Sequence, residues 1–220
     1  MIDLKRDGDV FVLTMQSGEN RFNRPFVNAL NAALDEVEAS TGPAALVTVG
    51  QDKFYSNGLD LTWMSGDGAS EGFGFIKDVI KVLARLLALP LPTAAALNGH
   101  VFAAGAMWAL AHDYRVMRAD RGFFCLPEVD IHIPFAPGMM ALIKQRFDAK
   151  QLRDTIITGA RIGGSDAASM GIVDAAVAVE EVLPRAIALV APLAGKDRNT
   201  LGAIKRSMYA EALRIMEGKA

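Results

Sequence analysis

Residues 93–107 read TAAALNGHVFAAGAM, and this stretch decides the fold. Its first five residues form a short apolar run that predicts a strand, and a helix is predicted to open near Gly105. Small residues at positions 103–106 lie between the two, where they let the backbone approach a ligand closely. The N–H group of Ala104 is therefore predicted to face a ligand.

Residues 54–61, FYSNGLDL, form a second segment of the same kind. If an N–H near Leu59 and the N–H of Ala104 converge on one carbonyl oxygen, they form an oxyanion hole. Removing one donor from such a hole typically costs roughly 3 to 4 kcal/mol of transition-state stabilisation. Taken singly, each segment also fits an ordinary turn that caps a helix.

The flanking sequence predicts an α/β fold in which helices cover a parallel sheet. A strand at Val10–Met15, a helix from Pro25 to about Gly42 and a strand at residues 44–49 make one β–α–β unit. The pattern repeats with a helix at residues 75–88 and the strand at residues 93–97. Short strands are predicted at residues 114–118, 122–125 and 171–179. After Pro137 the chain is predicted to be mostly helical, with a last helix over residues 198–216.

The composition favours a small-molecule partner. Of the 220 residues, 51% are hydrophobic and 22% charged, and 23 Lys and Arg balance 25 Asp and Glu, so no basic face marks a nucleic-acid or membrane partner. The one cysteine, Cys125, rules out an intrachain disulfide framework and favours a reducing compartment. Residues 1–9 lack the apolar core of a signal peptide and no apolar stretch is long enough to span a membrane, so the cytoplasm is expected.

The two segments, followed by Leu126-Pro127-Glu128, resemble the crotonase or enoyl-CoA hydratase/isomerase family. In that family a Ser/Ala-x-Gly-x-Asp-Leu segment and an Asn-Gly-x-x-x-Gly-Gly-Gly segment supply the two oxyanion donors. Residues 56–61 and 98–105 look like these segments. Asn20-Arg21, residues 158–162 and residues 167–174 add further matches in the same order.

The resemblance implies a crotonase-type spiral of ββα units with a helical C-terminal trimerisation region. The spiral, residues 1–136, holds the coenzyme A (CoA) site, and residues 137–220 mediate a homotrimer or hexamer; the boundary is soft and the two parts form one structural unit. The substrate is an acyl-CoA, so CoA is part of the substrate. No separate cofactor and no metal are expected.

Carried over residue by residue, the two oxyanion donors are the N–H groups of Leu59 and Ala104. Ala103 and Ala104 replace glycines of the family pattern. Alanine keeps its N–H and adopts helical backbone angles, so the hole survives provided that neither position needs a positive φ.

The carboxylates separate two reactions within the family. Hydratases use two glutamates, and the first of these positions is Met107 here, whose thioether neither donates nor accepts a proton usefully. The second is kept as Glu128. One base beside a stabilised dienolate implies the single-glutamate isomerase of fatty acid metabolism, which moves the double bond of 3-enoyl-CoA to give 2-enoyl-CoA.

Glu128 needs apolar neighbours that raise its pKa toward neutrality. Six apolar residues near it in sequence are candidates: Phe123, Phe124, Val129, Ile131, Ile133 and Phe135. Asp130 lies two residues on, where strand-like alternation predicts the same face, so it is expected to tune or replace Glu128.

The remaining site residues also follow from the resemblance. The CoA moiety is expected at Ser56, Asn57 and Gly58, with help from Arg21 and Phe22. Lys205 or Arg206, on the last helix, is expected to meet the 3′-phosphate from a neighbouring subunit. The acyl pocket is expected at Trp63, Met64, Met107 and Asp130, whereas Trp108 is expected in the core.

Two alternatives stay open. One is a hydratase or other crotonase reaction in which Asp130 or Asp60 replaces the missing glutamate. The other is a CoA-binding oligomer without catalysis, which Met107 and the alanines at positions 103 and 104 suggest.

Overall fold

The computed structural model describes residues 1–219, apart from the side chain of Phe73. Two sheets with helices around them confirm the predicted α/β class. The strands are β1 (Ile2–Asp7), β2 (Val10–Met15), β3 (Ala45–Gly50), β4 (Phe54–Ser56), β5 (Thr93–Leu97), β6 (His100–Phe102), β7 (Tyr114–Arg118), β8 (Phe124–Cys125) and β9 (Ala175–Val177).

Up to β8 the strands come in pairs, each pair followed by one or two helices, and helices dominate after β8. They are α1 (Arg24–Ala39), α2 (Leu61–Ser65), α3 (Gly72–Leu87), α4 (Ala104–Leu110), α5 (Pro137–Arg146), α6 (Ala149–Leu152), α7 (Gly164–Ser169), α8 (Val179–Val190), α9 (Arg198–Met208) and α10 (Ala210–Met216). A π-helical turn (Arg153–Ile157) follows α6 and a 3₁₀ turn (Ala191–Leu193) follows α8. No helix within residues 1–219 is both long and apolar enough to cross a membrane.

The large sheet has six strands in the order β1-β2-β3-β5-β7-β9. Only β1 and β2 pair antiparallel; each further pair is parallel. Strand β5 shows why the central strands have continuous apolar sequences, since both of its faces are covered. Ala95 and Leu97 face the main core, while Ala94 and Ala96 face a second cluster beneath α8.

The small sheet, β4-β6-β8, is wholly parallel. A buried polar chain ties its strand β4 to β3 of the large sheet. His112 Nδ1 lies 2.9 Å from the Trp108 carbonyl, which only accepts, so Nδ1 donates and Nε2 accepts from the Thr48 hydroxyl. Thr48 Oγ1 then accepts from Tyr55, at 2.7 Å. Burial lowers the pKa of His112 to about 3, which keeps the ring neutral and the chain intact.

The first strand and the last helix differ from the sequence prediction, and so do β4 and β6, which were not predicted as strands. The segment at Ile2–Asp7 is a strand, which its charged residues concealed; such charges are typical of an exposed edge strand. The last helix breaks into α9 and α10 at Tyr209, which is only 2% exposed and whose hydroxyl accepts from Arg146 at 2.6 Å. The main core continues across residue 137, because α10 packs on both α5 and α3.

Candidate active site

The three strands of the small sheet end side by side. Because they run parallel, their carboxyl ends meet at one edge, where α/β sheets commonly bind ligands. The chain that follows each end carries one predicted catalytic position: Leu59 after β4, Ala104 after β6 and Glu128 after β8. The fold therefore brings together three positions that are far apart in sequence.

The segments after β4 and β6 pack backbone against backbone. A Cβ on Gly58 would lie 2.8 Å from the Cβ of Ala103, and a Cβ on Gly105 would lie 2.6 Å from the Cβ of Ser56. Real side chains do not approach so closely, so glycine is required at positions 58 and 105. Two interlocked contacts thus set the spacing of the two segments.

The N–H of Leu59 is free because of how its neighbours are bonded. Gly58 O accepts from Phe22 N at 2.8 Å, and Asp60 N donates to Phe22 O at 2.9 Å. In extended backbone, successive N–H groups point to opposite edges, so the N–H of Leu59 points away from Phe22. It has no acceptor among the described residues.

The N–H of Ala104 is free for a different reason. Ala104 is the first residue of α4, and the first N–H groups of a helix have no partner within it. No side chain of the described residues caps this end of α4, and the preceding N–H, that of Ala103, donates to Cys125 O at 3.0 Å. Ala104 N also lies next to Gly58, 3.3 Å from where a Cβ there would be, which places it beside the Leu59 segment.

Of the two alanines, Ala103 adopts a positive φ, and the N–H of Ala104 stays free beside it at a cost in backbone strain. Ala104 is helical, but Ala103 has φ +50° and ψ −122°, a region that favours glycine. A non-glycine residue held there costs on the order of 1–3 kcal/mol. The N–H of Ala104 is thus presented by a strained turn.

Glu128 is a buried carboxyl with almost no polar support. The residue is 7% exposed, and Oε2 has no hydrogen-bond partner among the described residues. Burial raises its pKa to about 7, against a smaller opposing effect from its own backbone N–H. The carboxyl is therefore poised to gain or lose a proton near neutral pH.

A cavity of about 230 Å³ joins these groups. Leu59, Ala104 and Glu128 all line it. Its other lining residues are Arg21, Asn57, Leu61, Phe102, Ala103, Met107, Pro127, Ile131, Ile133, Pro134, Phe135 and Met139. Of the apolar neighbours predicted for Glu128, Ile131, Ile133 and Phe135 line the cavity; Phe123, Phe124 and Val129 do not.

Arg21 and Asn57, predicted to contact CoA, lie at the polar part of the cavity. Both donate to Glu19 Oε2, Arg21 from Nε and Asn57 from Nδ2, each at 2.7 Å. Both bonds lower the pKa of Glu19, and the bond from Asn57 has the larger effect.

The other predicted CoA positions near β4 belong to the scaffold. Phe22 is fully buried, with its ring against Phe26 and Trp108, so only its backbone serves the site. The Ser56 hydroxyl is also buried and donates to Asn20 O at 2.7 Å. Trp108 lies in the core, as expected.

Lys205 is not on an open helix face. It is 4% exposed, and Nζ lies 2.7 Å from both Leu91 O and Asp113 Oδ2. Burial lowers its pKa, against the raising effect of Asp113. Its ammonium group is thus engaged within its own subunit.

Three of the four predicted acyl-pocket residues lie outside the cavity lining. Trp63 packs edge-on against Phe75, with ring centroids 4.8 Å apart, and Met64 packs on the main core. Asp130 is exposed, and its carboxylate lies against the backbone of Gly159. The expected alternation fails because residues 127–133 form a turn, in which Ile133 N donates to Glu128 O at 3.0 Å. Met107 does line the cavity.

Five lining residues were not predicted from the sequence: Leu61, Phe102, Pro127, Pro134 and Met139. Four of them, Leu61, Phe102, Pro127 and Pro134, lie within or close to the motifs in sequence and could have been predicted for that reason. Met139 had no such signal, since it comes from α5 and reaches the cavity only through tertiary packing.

A family model described as "Enoyl-CoA hydratase/isomerase" matches residues 5–218. The chain belongs to this family. Its relatives include Enoyl-CoA delta isomerase 3 of Arabidopsis thaliana, 37% identical over 99% of this chain and 95% of the relative. A putative enoyl-CoA hydratase of Thermus thermophilus is 29% identical over 92% of this chain and 81% of the relative.

The fold agrees with that of solved members of the enoyl-CoA hydratase/isomerase family. The apo structure of a Mycobacterium tuberculosis (Mtb) enoyl-CoA isomerase superposes with a TM-score of 0.89 at 25% identity. The match covers 99% of this chain and 94% of that chain. The predicted crotonase-type fold is thereby confirmed.

Replacement of the strained alanine by glycine, Ala103→Gly, is expected to raise the free energy of unfolding by about 1 kcal/mol. Relief of the positive φ outweighs the added entropy of the unfolded chain. Denaturant unfolding measures the change. The matched control is Ala106→Gly, inside α4 and fully buried, which should destabilise by about 1 kcal/mol or more. An equal loss of unfolding free energy in Ala103→Gly and Ala106→Gly would mean that Ala103 is not strained.

Replacement of the buried acid by its amide, Glu128→Gln, is expected to stabilise the protein at about pH 8 and much less at about pH 5. Because the folded pKa of about 7 lies above the ordinary 4.5, the carboxyl contributes stability that is full below pH 4.5 and lost as pH rises through 7. The shift corresponds to about 3 kcal/mol.

Unfolding free energies at the two pH values measure this effect. Glu36→Gln, at an exposed position on α1, is the control and should show no such pH dependence. A Glu128→Gln variant with the same pH dependence as the wild type would mean that the carboxylate is solvated.

Proposed function

We propose that this protein converts 3-enoyl-CoA to 2-enoyl-CoA with Glu128 as its single base. The observation that carries the proposal is one buried carboxyl, without a partner on Oε2, in the same cavity as two free N–H groups. The Arabidopsis relative named as an enoyl-CoA delta isomerase supports the same reaction.

In this mechanism the thioester oxygen binds between the N–H groups of Leu59 and Ala104. Glu128 removes a proton from C2, and the electron pair spreads over the dienolate, with its charge on the oxygen at the hole. The proton then returns from Glu128 to C4, so the double bond between C3 and C4 is replaced by one between C2 and C3. No atom is gained or lost.

The pKa of Glu128 suits both halves of this cycle. A base that must later return the same proton works best when its pKa lies near the working pH, and that of Glu128 is about 7. Burial of the carboxyl in this largely apolar cavity raises the pKa.

The placement of the other acids favours isomerisation over hydration. A hydratase needs a second acid in the cavity, and Met107 lines it where the family's other glutamate would be. Asp130 is exposed beside Gly159. Asp60 caps α2, accepting from Trp63 N at 3.0 Å and from Asn23 Nδ2 at 3.2 Å. Neither aspartate lines the cavity.

Conversion of a 3-enoyl-CoA to its conjugated isomer, followed by thioester absorbance, is expected for the wild type. Glu128→Gln should lower kcat roughly 100-fold to 10,000-fold, because proton transfer loses its base. The wild-type kcat/KM should rise with pH through about 7 as Glu128 loses its proton.

Asp130→Asn is the matched control and should keep nearly full activity, since Asp130 lies outside the cavity lining. Product mass separates the rivals, because hydration adds one water and isomerisation conserves mass. Acyl-CoA binding without any turnover, and without exchange of the C2 proton in deuterium oxide, would sink the proposal in favour of a binding protein.

We also propose that the C-terminal helices mediate a homotrimer. Ile204 and Met208, one turn apart on α9, are 54% and 57% exposed and line one apolar groove with Leu193 and Leu201. Apolar surface of this kind is typical of permanent subunit interfaces.

Native mass spectrometry is expected to give three times the mass of one chain. Ile204→Glu with Met208→Glu should reduce it to one, because two charges would be buried unpaired. Ile157→Glu, at an equally apolar position that is 67% exposed on the π-helical turn, serves as the control and should leave the mass unchanged. A monomeric wild type would refute the proposal.

A further inference from the structure

The active-site cavity has a polar part and an apolar part. Arg21 and Asn57, joined through Glu19, are its polar side chains apart from Glu128. Residues after Glu128 and from helices α4 and α5 make the rest of the wall apolar. A thioester with its oxygen at Leu59 and Ala104 and its CoA moiety on the polar side extends its acyl tail into the apolar part.

Two methionines stand at the inner part of this apolar wall. Met107, on α4, is 1% exposed, and Met139, in the first turn of α5, is 5% exposed. In contrast, Ile131 and Ile133 are 42% and 37% exposed, so that side of the wall faces solvent. The methionine side is closed because both side chains belong to the main core.

The wall behind Met139 has no room to retreat. The adjacent Gly138 is pressed against α3 and α10: a Cβ there would lie 2.7 Å from Ile80 Cγ2 and 3.2 Å from Met216 Cα. Protein interiors are close-packed, so a longer tail gains space only if a lining side chain moves or is shortened.

The volume of the cavity limits the length of the acyl tail that it can hold. At about 230 Å³ it is smaller than the roughly 300–1,000 Å³ of pockets for drug-sized ligands. It must hold the reacting carbons beside Glu128 before any tail is counted.

We propose that Met107 and Met139 form the closed end of the acyl channel and select 3-enoyl-CoA substrates with shorter acyl chains over those with longer chains. This specificity rests on the proposed function of the same cavity. Methionine suits the position because its unbranched thioether fills the end of an irregular channel yet adjusts to small differences in tail length.

The test is a substrate series of 3-hexenoyl-, 3-octenoyl-, 3-decenoyl- and 3-dodecenoyl-CoA. Wild-type kcat/KM should be highest for the shorter substrates and fall by about tenfold or more for 3-dodecenoyl-CoA, since excess methylenes meet a filled wall. Met139→Ala, and separately Met107→Ala, should raise the ratio of 3-dodecenoyl- to 3-hexenoyl-CoA activity by about tenfold.

Met140→Ala is the matched control. Met140 is the next residue of α5, half-buried and outside the cavity lining, so its loss should leave the ratio of the two activities unchanged. A change in this ratio equal to that of Met139→Ala would mean a general loosening of α5 and would overturn the assignment.

Binding of saturated acyl-CoA separates this inference from the proposed function. Calorimetric Kd values for hexanoyl- and dodecanoyl-CoA should show the same discrimination in the wild type and its loss in Met139→Ala, whether or not the protein turns over 3-enoyl-CoA. If the protein discriminates between the two acyl-CoA ligands in binding but does not convert 3-enoyl-CoA, the isomerase proposal is refuted. The assignment of Met107 and Met139 to the end of the channel then still stands. Equal kcat/KM across the wild-type series would instead show that the tail leaves past Ile131 and Ile133, and would overturn the inference.

Discussion

The contact on which the site depends is the backbone packing of the segments after β4 and β6. Gly58 against Ala103 and Gly105 against Ser56 leave no space for a further side-chain carbon. This contact sets the distance between the two segments to within a few tenths of an ångström, because atoms already at van der Waals distance resist compression. Preorganised donors stabilise a developing charge without having to reorganise, and interlocked backbone is a rigid way to hold them.

The same packing determines what surrounds Glu128. With β8 as the third strand of the small sheet, Glu128 follows the end of the sheet on the side of α4 and faces an apolar wall. Burial without a partner is unfavourable for a carboxylate, and a pKa of about 7 expresses that cost. The feature that weakens the folded state is therefore the one that suits Glu128 to the proposed proton transfer.

The sequence predicted the fold well where local signals were strong. β2, β3 and β5 are mainly apolar runs, and Pro25, which predicted the start of α1, lies in its first turn, after the N-cap Asn23. Strands β4 and β6 have only three residues each, too few to show a period, so the sequence marks them only as turns. The burial of Lys205 could not be predicted because its partner Asp113 lies 92 residues away in the chain, and Met139 reaches the cavity only through the tertiary packing of α5.

The strained turn at Ala103 also bears on how such sites are recognised in new sequences. Among residues 103–105, only Gly105 is demanded by a collision, since a Cβ there would strike Ser56; Ala103 carries strain and Ala104 is simply helical. A search pattern that requires three consecutive glycines therefore treats positions 103 and 104, where alanine is tolerated, in the same way as position 105, where a side chain would collide. Weighting the third glycine most, together with Gly58, would retrieve divergent chains such as this one.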